Sequence, residues 1–221
     1  MAIGDPYVTL AEMKNYFDIP ANKTSMDERL TDAIDSASRE IEQYCGRQFN
    51  QTTTATARVY EPDGWNRVTV DDFYTTTGLV VSGDFAYDGT FATAYDPSSY
   101  ELFPLGGVVD GNPGWPFTKI RLSYNTFPYT NDRYRNHSRR TGVVQVTARW
   151  GWAEVPSTVK QACKLIAAQT FKMAEAPLGV AGMDVVRGTQ FTGSFGVARV
   201  QDLPAVAHKL DRFKSMRILV G

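Results

Sequence analysis

Two histidines and two cysteines are the whole stock of zinc-type nitrogen and thiolate ligands in these 221 residues. His137 and His208 stand in different contexts, and there is no His-x-x-His or Cys-x-x-Cys pattern, so no zinc site is expected. No phosphate-binding loop or dinucleotide fingerprint occurs. Gly193-Ser194-Phe195-Gly196 has the wrong spacing for a nucleophile elbow. Asp84 with Asp88-Gly89 faintly suggests a calcium loop, but Tyr95 stands where an EF-hand needs Glu. Asp71 and Asp72 pair two carboxylates at a strand end, where solvation is the simplest account. Arg133, Arg135, Arg139 and Arg140 fall in one basic, aromatic-spiced loop. They have the chemistry to grip phosphates or a partner's carboxylates, and the simpler reading is a solvated hairpin tip. No nucleophile, base and orienting group recur together. Neither an enzyme nor a bound metal or cofactor is expected.

The elements that would carry such residues centre on the stretch from Gln145 to Met173. Val144, Val146 and Ala148 alternate with Gln145, Thr147 and Arg149, the period of a half-buried strand. Trp150-Gly151-Trp152 ends it, with Gly151 free to take the angles of a sharp reversal. Pro156 holds Val155 out of the helical region, so a helix should begin at or after it, with Ser157 at the cap or in the first turn. That helix carries two apolar stripes. Ala162, Cys163 and Ile166 make one, and Leu165, Ala168 and Phe171 the other. A core helix accounts for the first stripe. With the second, the helix is either buried on both sides in the core or shared between the subunit core and a neighbouring subunit.

Upstream, Thr9-Leu-Ala-Glu12 is a capping box opening a short helix through Tyr16 or Phe17, and Ser25-Met-Asp-Glu28 reads as a second box. Behind it Met26, Leu30, Ile34, Ala37, Ile41 and Tyr44 recur at helical spacing, and Gly46 suits the left-handed stop. The opposite face is acidic, and is either solvated or half of a contact with a basic partner. From Gln51 to Arg140 helical periodicity disappears. Strands are expected at 55–60, 67–70, 78–81, 99–103 and 118–124. The aromatics of this region, Trp115 and Tyr129 among them, fill a small β core or, alternatively, form a sugar-binding platform. Downstream, glycines at 188, 193 and 196 mark 184–200 as a long hairpin or arm that orders on assembly. Asp202 is expected to cap a last helix with Pro204 in its first turn and Val206, Leu210 and Phe213 on one face. An apolar tail, Met216-Arg-Ile-Leu-Val-Gly221, follows.

The fold class expected is α+β: a small antiparallel core of about four helices (1–50 and 143–221), a β-rich insertion (51–142) and a C-terminal docking helix. Hydrophobic residues make up 43% and charged residues 21%, a globular composition. Formal net charge is −1, so the chain as a whole is not built to attract nucleic acid or an acidic membrane. No apolar run approaches a membrane span and the start lacks the pattern of a signal peptide, which implies a soluble protein made in the cytoplasm. Cys45 and Cys163 on their helices suit buried free thiols.

In number and order these pieces resemble the head–tail connector (head-to-tail adaptor) family of tailed bacteriophages. The matching residues are Tyr7-Val-Thr-Leu-Ala-Glu-Met-Lys14, Ile41-Glu-Gln-Tyr-Cys-Gly-Arg-Gln-Phe49 and Asp96-Pro-Ser-Ser-Tyr-Glu-Leu102. They continue with Gly114-Trp-Pro-Phe-Thr-Lys-Ile-Arg121, Val146-Thr-Ala-Arg-Trp-Gly-Trp-Ala-Glu-Val-Pro156 and Ala176-Pro-Leu-Gly-Val-Ala-Gly182, before a last helix over 204–214. The resemblance implies a structural virion protein of the neck, made in the host cytoplasm. It implies a ring of copies, typically a dodecamer, between the capsid portal and the next neck or tail protein, a stopper or tail terminator. DNA would pass through without sequence-specific binding. On this reading Arg212, Phe213, Arg217, Ile218, Leu219 and Val220 dock on the portal, and Leu165, Ala168 and Phe171 pack between subunits. The alternative of a different class is a β-rich carbohydrate-binding module on a helical base, which predicts glycan binding and no ring.

Overall fold

A computed structural model describes residues 4–128, 142–175 and 199–215. Two units emerge: the described residues of Ile3–Phe49 with Val155–Gly221, which are helical, and Asn50–Glu154, which are a sheet. Residues 143–154, grouped with the helices on sequence, thus lie in the sheet unit. Their strand has both its neighbours there.

The helical unit holds α1 (Leu10–Tyr16), α2 (Asp27–Cys45), α3 (Ser157–Glu175) and α4 (Pro204–Leu210). Thr9 and Glu12 form the expected reciprocal box at the start of α1. The second box does not form. Helix α2 is capped at Met26 without a side-chain bond, because Lys14 organises the preceding loop instead. Its buried ammonium donates to the carbonyls of Ala21 and Lys23 at 3.2 and 3.0 Å and pairs with Asp27 at 2.6 Å. A charge taken out of water needs that many partners. Gly46 closes α2 in the left-handed region at φ 63°, as the sequence predicts.

Leu30, Ala33, Ile34, Ala37, Ile41 and Cys45 bury one face of α2, and α3 meets it with Val159, Ala162, Cys163, Ile166 and Ala167. The two cysteines are free and buried. Burial pushes the Cys163 thiol up to about 11 and the Cys45 thiol up to about 12, so neither is a nucleophilic thiolate at neutral pH. We expect the native protein to resist Ellman's reagent and to release two equivalents only in denaturant. Fast labelling of the native chain would contradict this packing.

The C-terminal end of α2 is held by tyrosines. Tyr7 Oη donates to Glu42 Oε1 at 2.8 Å and accepts from the Phe49 amide at 3.1 Å, so one hydroxyl ties the chain start, α2 and the exit from α2 together. Its burial raises the phenol far above its ordinary range. Tyr7→Phe keeps the ring but strands the Phe49 N–H. A loss of about 2 kcal/mol follows, measurable by urea unfolding, and an unchanged midpoint would contradict the network.

The sheet unit is antiparallel throughout: β1 (Thr56–Tyr60), β2 (Arg67–Gly83), β3 (Thr93–Ala94), β4 (Tyr100–Phe103), β5 (Phe117–Leu122) and β6 (Val144–Trp150). The order is β1-β6-β2-β5-β4, with β3 on the end of β2. The two short strands expected at 67–70 and 78–81 are one bulged strand. Its first half pairs with β5 and its second with β6, with Phe73 facing both Phe117 and Trp150. Thr75 faces Arg149 while Val80 faces Thr147, so the intervening residues bulge around Gly78 at φ 79°. That insertion broke the alternation that would have joined the halves in sequence. Strand β6 alternates buried and half-buried as expected, and Val68, Phe73, Val81, Ile120, Val144, Val146 and Trp150 form the core.

Candidate assembly interface

The dipeptide turn after β6 is the hub of the sheet unit. Trp150 Nε1 donates to the Thr56 carbonyl at 2.9 Å, and Arg58 lies 4.5 Å over its ring. Asp71 holds Arg58 at 2.6 Å and also accepts from Tyr60, which raises the Tyr60 phenol, chiefly through burial. Asp72 accepts from Trp152 Nε1 at 2.9 Å, and Trp152 packs on Trp115 with centroids 5.1 Å apart. Asp71 and Asp72 are therefore strand-interior clamps and not a pair at a strand end. Asp84 is fully buried, its carboxylate accepting the amides of Asp88 and Gly89, which closes the loop that faintly suggested a calcium site. No metal-ligating cluster of three occurs among the described residues.

Five of the aromatics that suggested a sugar platform belong to the core or pack on it. Tyr95 and Phe127 are buried edge to face at 5.4 Å, and Tyr87, Tyr100 and Phe117 pack on the same core. Trp65, Phe85 and Tyr124 are exposed. Tyr129 and the arginines of 131–140 lie outside the described residues.

The C-terminal helix packs on α3, and the residues that follow it are latched on the end of α2. Val206, Leu210 and Phe213 are buried on one face, as their spacing predicts, and Phe213 meets Phe49 edge to face at 5.7 Å. The expected cap at Asp202 is replaced by Leu203, with Pro204 in the first turn. Tyr44 Oη donates to Asp211 at 2.7 Å, Lys214 pairs with Asp211 at 2.9 Å, and the Ser215 amide donates to the Cys45 carbonyl at 2.7 Å. Lys214 and Tyr44, as donors, hold the Asp211 carboxyl below its ordinary range, and Asp211 in turn raises Lys214. No sequence signal links Tyr44 to Asp211, because the contact spans 167 residues.

This divides the expected docking residues. Arg212 is exposed, its guanidinium 5.2 Å over the Phe213 ring, whereas Phe213 is 4% exposed and belongs to the core. Arg217, Ile218, Leu219 and Val220 lie outside the described residues, as does the glycine-rich segment through residue 198. The second stripe of α3 divides too. Leu165 is exposed, Ala168 is buried, and Phe171 is buried between Phe17 and the Arg29 guanidinium. Intramolecular packing thus accounts for two of the three.

Residues 7–72 match the family model of the phage gp6-like head-tail connector protein. That stretch spans α1, α2, β1 and the start of β2, and over it the chain is similar to a structural protein of the phage head–tail junction. Its fold is shared with a chain in a solved structure of the neck of an empty GTA particle computed with C6 symmetry. The TM-score is 0.51 at 17% identity, over 97% of this chain and 93% of that one. No curated protein sequence matches the chain. Among the described residues no helix is long and apolar enough to cross a membrane.

Proposed function

We propose that copies of this chain form a ring in the neck, one face toward the portal and the other toward the next neck or tail protein, with DNA passing through the centre. The observation that carries the portal-facing part is the latched C-terminus. Asp211, Phe213 and Ser215 fasten the chain to α2 and leave Arg212 outward immediately before the apolar tail. A short peptide leaving a fixed root suits groove docking, with Arg212 and Arg217 pairing to carboxylates and Ile218, Leu219 and Val220 filling the groove. The likeness to a chain of the GTA neck structure supports the ring.

Deleting residues 216–221 spares every contact named above. We expect it to leave the melting curve unchanged and to weaken binding to the cognate portal by about a hundredfold, the loss of a central apolar anchor. Surface plasmon resonance on immobilised portal reads this directly. Undiminished binding would sink the docking assignment.

A further inference from the structure

Helix α2 carries six carboxylates against two arginines, and α3 carries three lysines against one carboxylate, Glu175. Much of the acid on α2 is already engaged. Lys14 takes Asp27, Tyr7 and Arg39 take Glu42, and Glu40 accepts the Val200 amide. What remains is Glu28, Asp32 and Asp35, spaced i, i+4, i+7 and all exposed. None has a hydrogen bond or ion pair among the described residues. On α3, Lys164 is half-exposed and Lys172 exposed, without an ion pair among the described residues, and Leu165 lies open between them. The nearby Glu12 does not serve them with a bond, because its carboxylate accepts from Thr9.

No ion pair joins these two faces among the described residues. Each helix buries the side toward the other, with Cys163 beside Ser38 and Ile34. A closed ring of identical copies needs two different, complementary patches, so that each copy offers one to each neighbour. Like patches facing across a two-fold axis would repel, which disfavours an isolated dimer through either face.

We propose that the acidic face of α2 (Glu28, Asp32, Asp35) in one copy meets the basic face of α3 (Lys164, Lys172, around Leu165) in the next. The partner is thus a second copy of this chain, bound head to tail; this rests on the ring reading above. The spans agree. Glu28 to Asp35 covers about 10 Å of helix and Lys164 to Lys172 about 12 Å at the usual rise. Exposed pairs contribute modestly each, so their role is orientation and encounter, with Leu165 supplying the apolar contact.

Two double variants test it, Asp32→Lys with Asp35→Lys, and Lys164→Glu with Lys172→Glu. Circular dichroism first establishes that both fold. Native mass spectrometry and negative-stain microscopy then follow ring formation with concentration, alone and with portal. Each variant should need about tenfold more protein to assemble, or more, and an equimolar mixture should recover rings of alternating subunits. Rings from both variants at the wild-type concentration would overturn the pairing while leaving the ring. A mixture no better than either variant would also overturn it. A wild-type chain that forms no ring, alone or on portal, would overturn the ring and the pairing together.

Discussion

Gly151→Ala destabilises the sheet unit by about 4 kcal/mol or more, the largest single-residue effect expected. Gly151 sits at φ 99°, where side chains are strained, and a Cβ added there would overlap the carbonyl oxygen of Asn50. The nearest other atoms are backbone as well, with the Asn50 carbonyl carbon at 2.7 Å and the Gln51 Cα at 2.9 Å, so no side chain can swing clear. Movement there is opposed from both flanks. The Gly151 amide donates to the Asp72 carbonyl at 2.6 Å, the Trp152 amide to Asn50 at 3.1 Å, and the Thr52 amide to Trp150 at 2.8 Å. Trp150 and Trp152 would be dragged from their partners together. The expected outcome is loss of the near-ultraviolet tryptophan signal and a melt at far lower temperature, or insoluble protein. A wild-type melting curve would mean that the turn opens freely.

The second large effect is Phe213→Ala, expected to cost about 3–4 kcal/mol in the helical unit. Its ring is buried against Phe49, which packs in turn on Tyr7 at 5.7 Å, so the truncation opens a cavity at the junction of the chain start, α2 and the C-terminal latch. Phe213 therefore belongs to the core of the helical unit. Urea unfolding should show the loss with portal absent. Arg212→Ala, by contrast, should leave stability within about 0.5 kcal/mol, as exposed substitutions do, and weaken only portal binding. Equal stability of Phe213→Ala and the wild type would return Phe213 to the docking surface.

What the sequence made legible follows from the range of the interactions involved. Local signals read well. The Thr9 box, the Gly46 stop, the alternation of β6 and the apolar face of α4 each rest on residues within a turn or two of one another. Bulged β2 was read as two strands because its register breaks at Gly78, where period-2 patterning has no purchase. The second capping box failed because Lys14, thirteen residues before Asp27, sets the loop. The division of the candidate site was also out of reach locally. Phe171 and Leu165 share a stripe by spacing, yet only the structure places Phe17 and Arg29 over one and leaves the other open. Asp71 and Asp72 looked like a solvated strand end, and are clamps, because Arg58 and Trp152 arrive from distant strands. The charged faces of α2 and α3 are visible as composition, but which of their charges stay unpaired depends on how the chain packs.

The most direct measurement is the native mass of the purified chain across concentration, alone and with the portal of the same virion. The connector account predicts a discrete ring, or a monomer that joins the portal as a ring, with assembly shifted to higher concentration by charge reversal of either helix face. A monomer that ignores the portal at every concentration would contradict it.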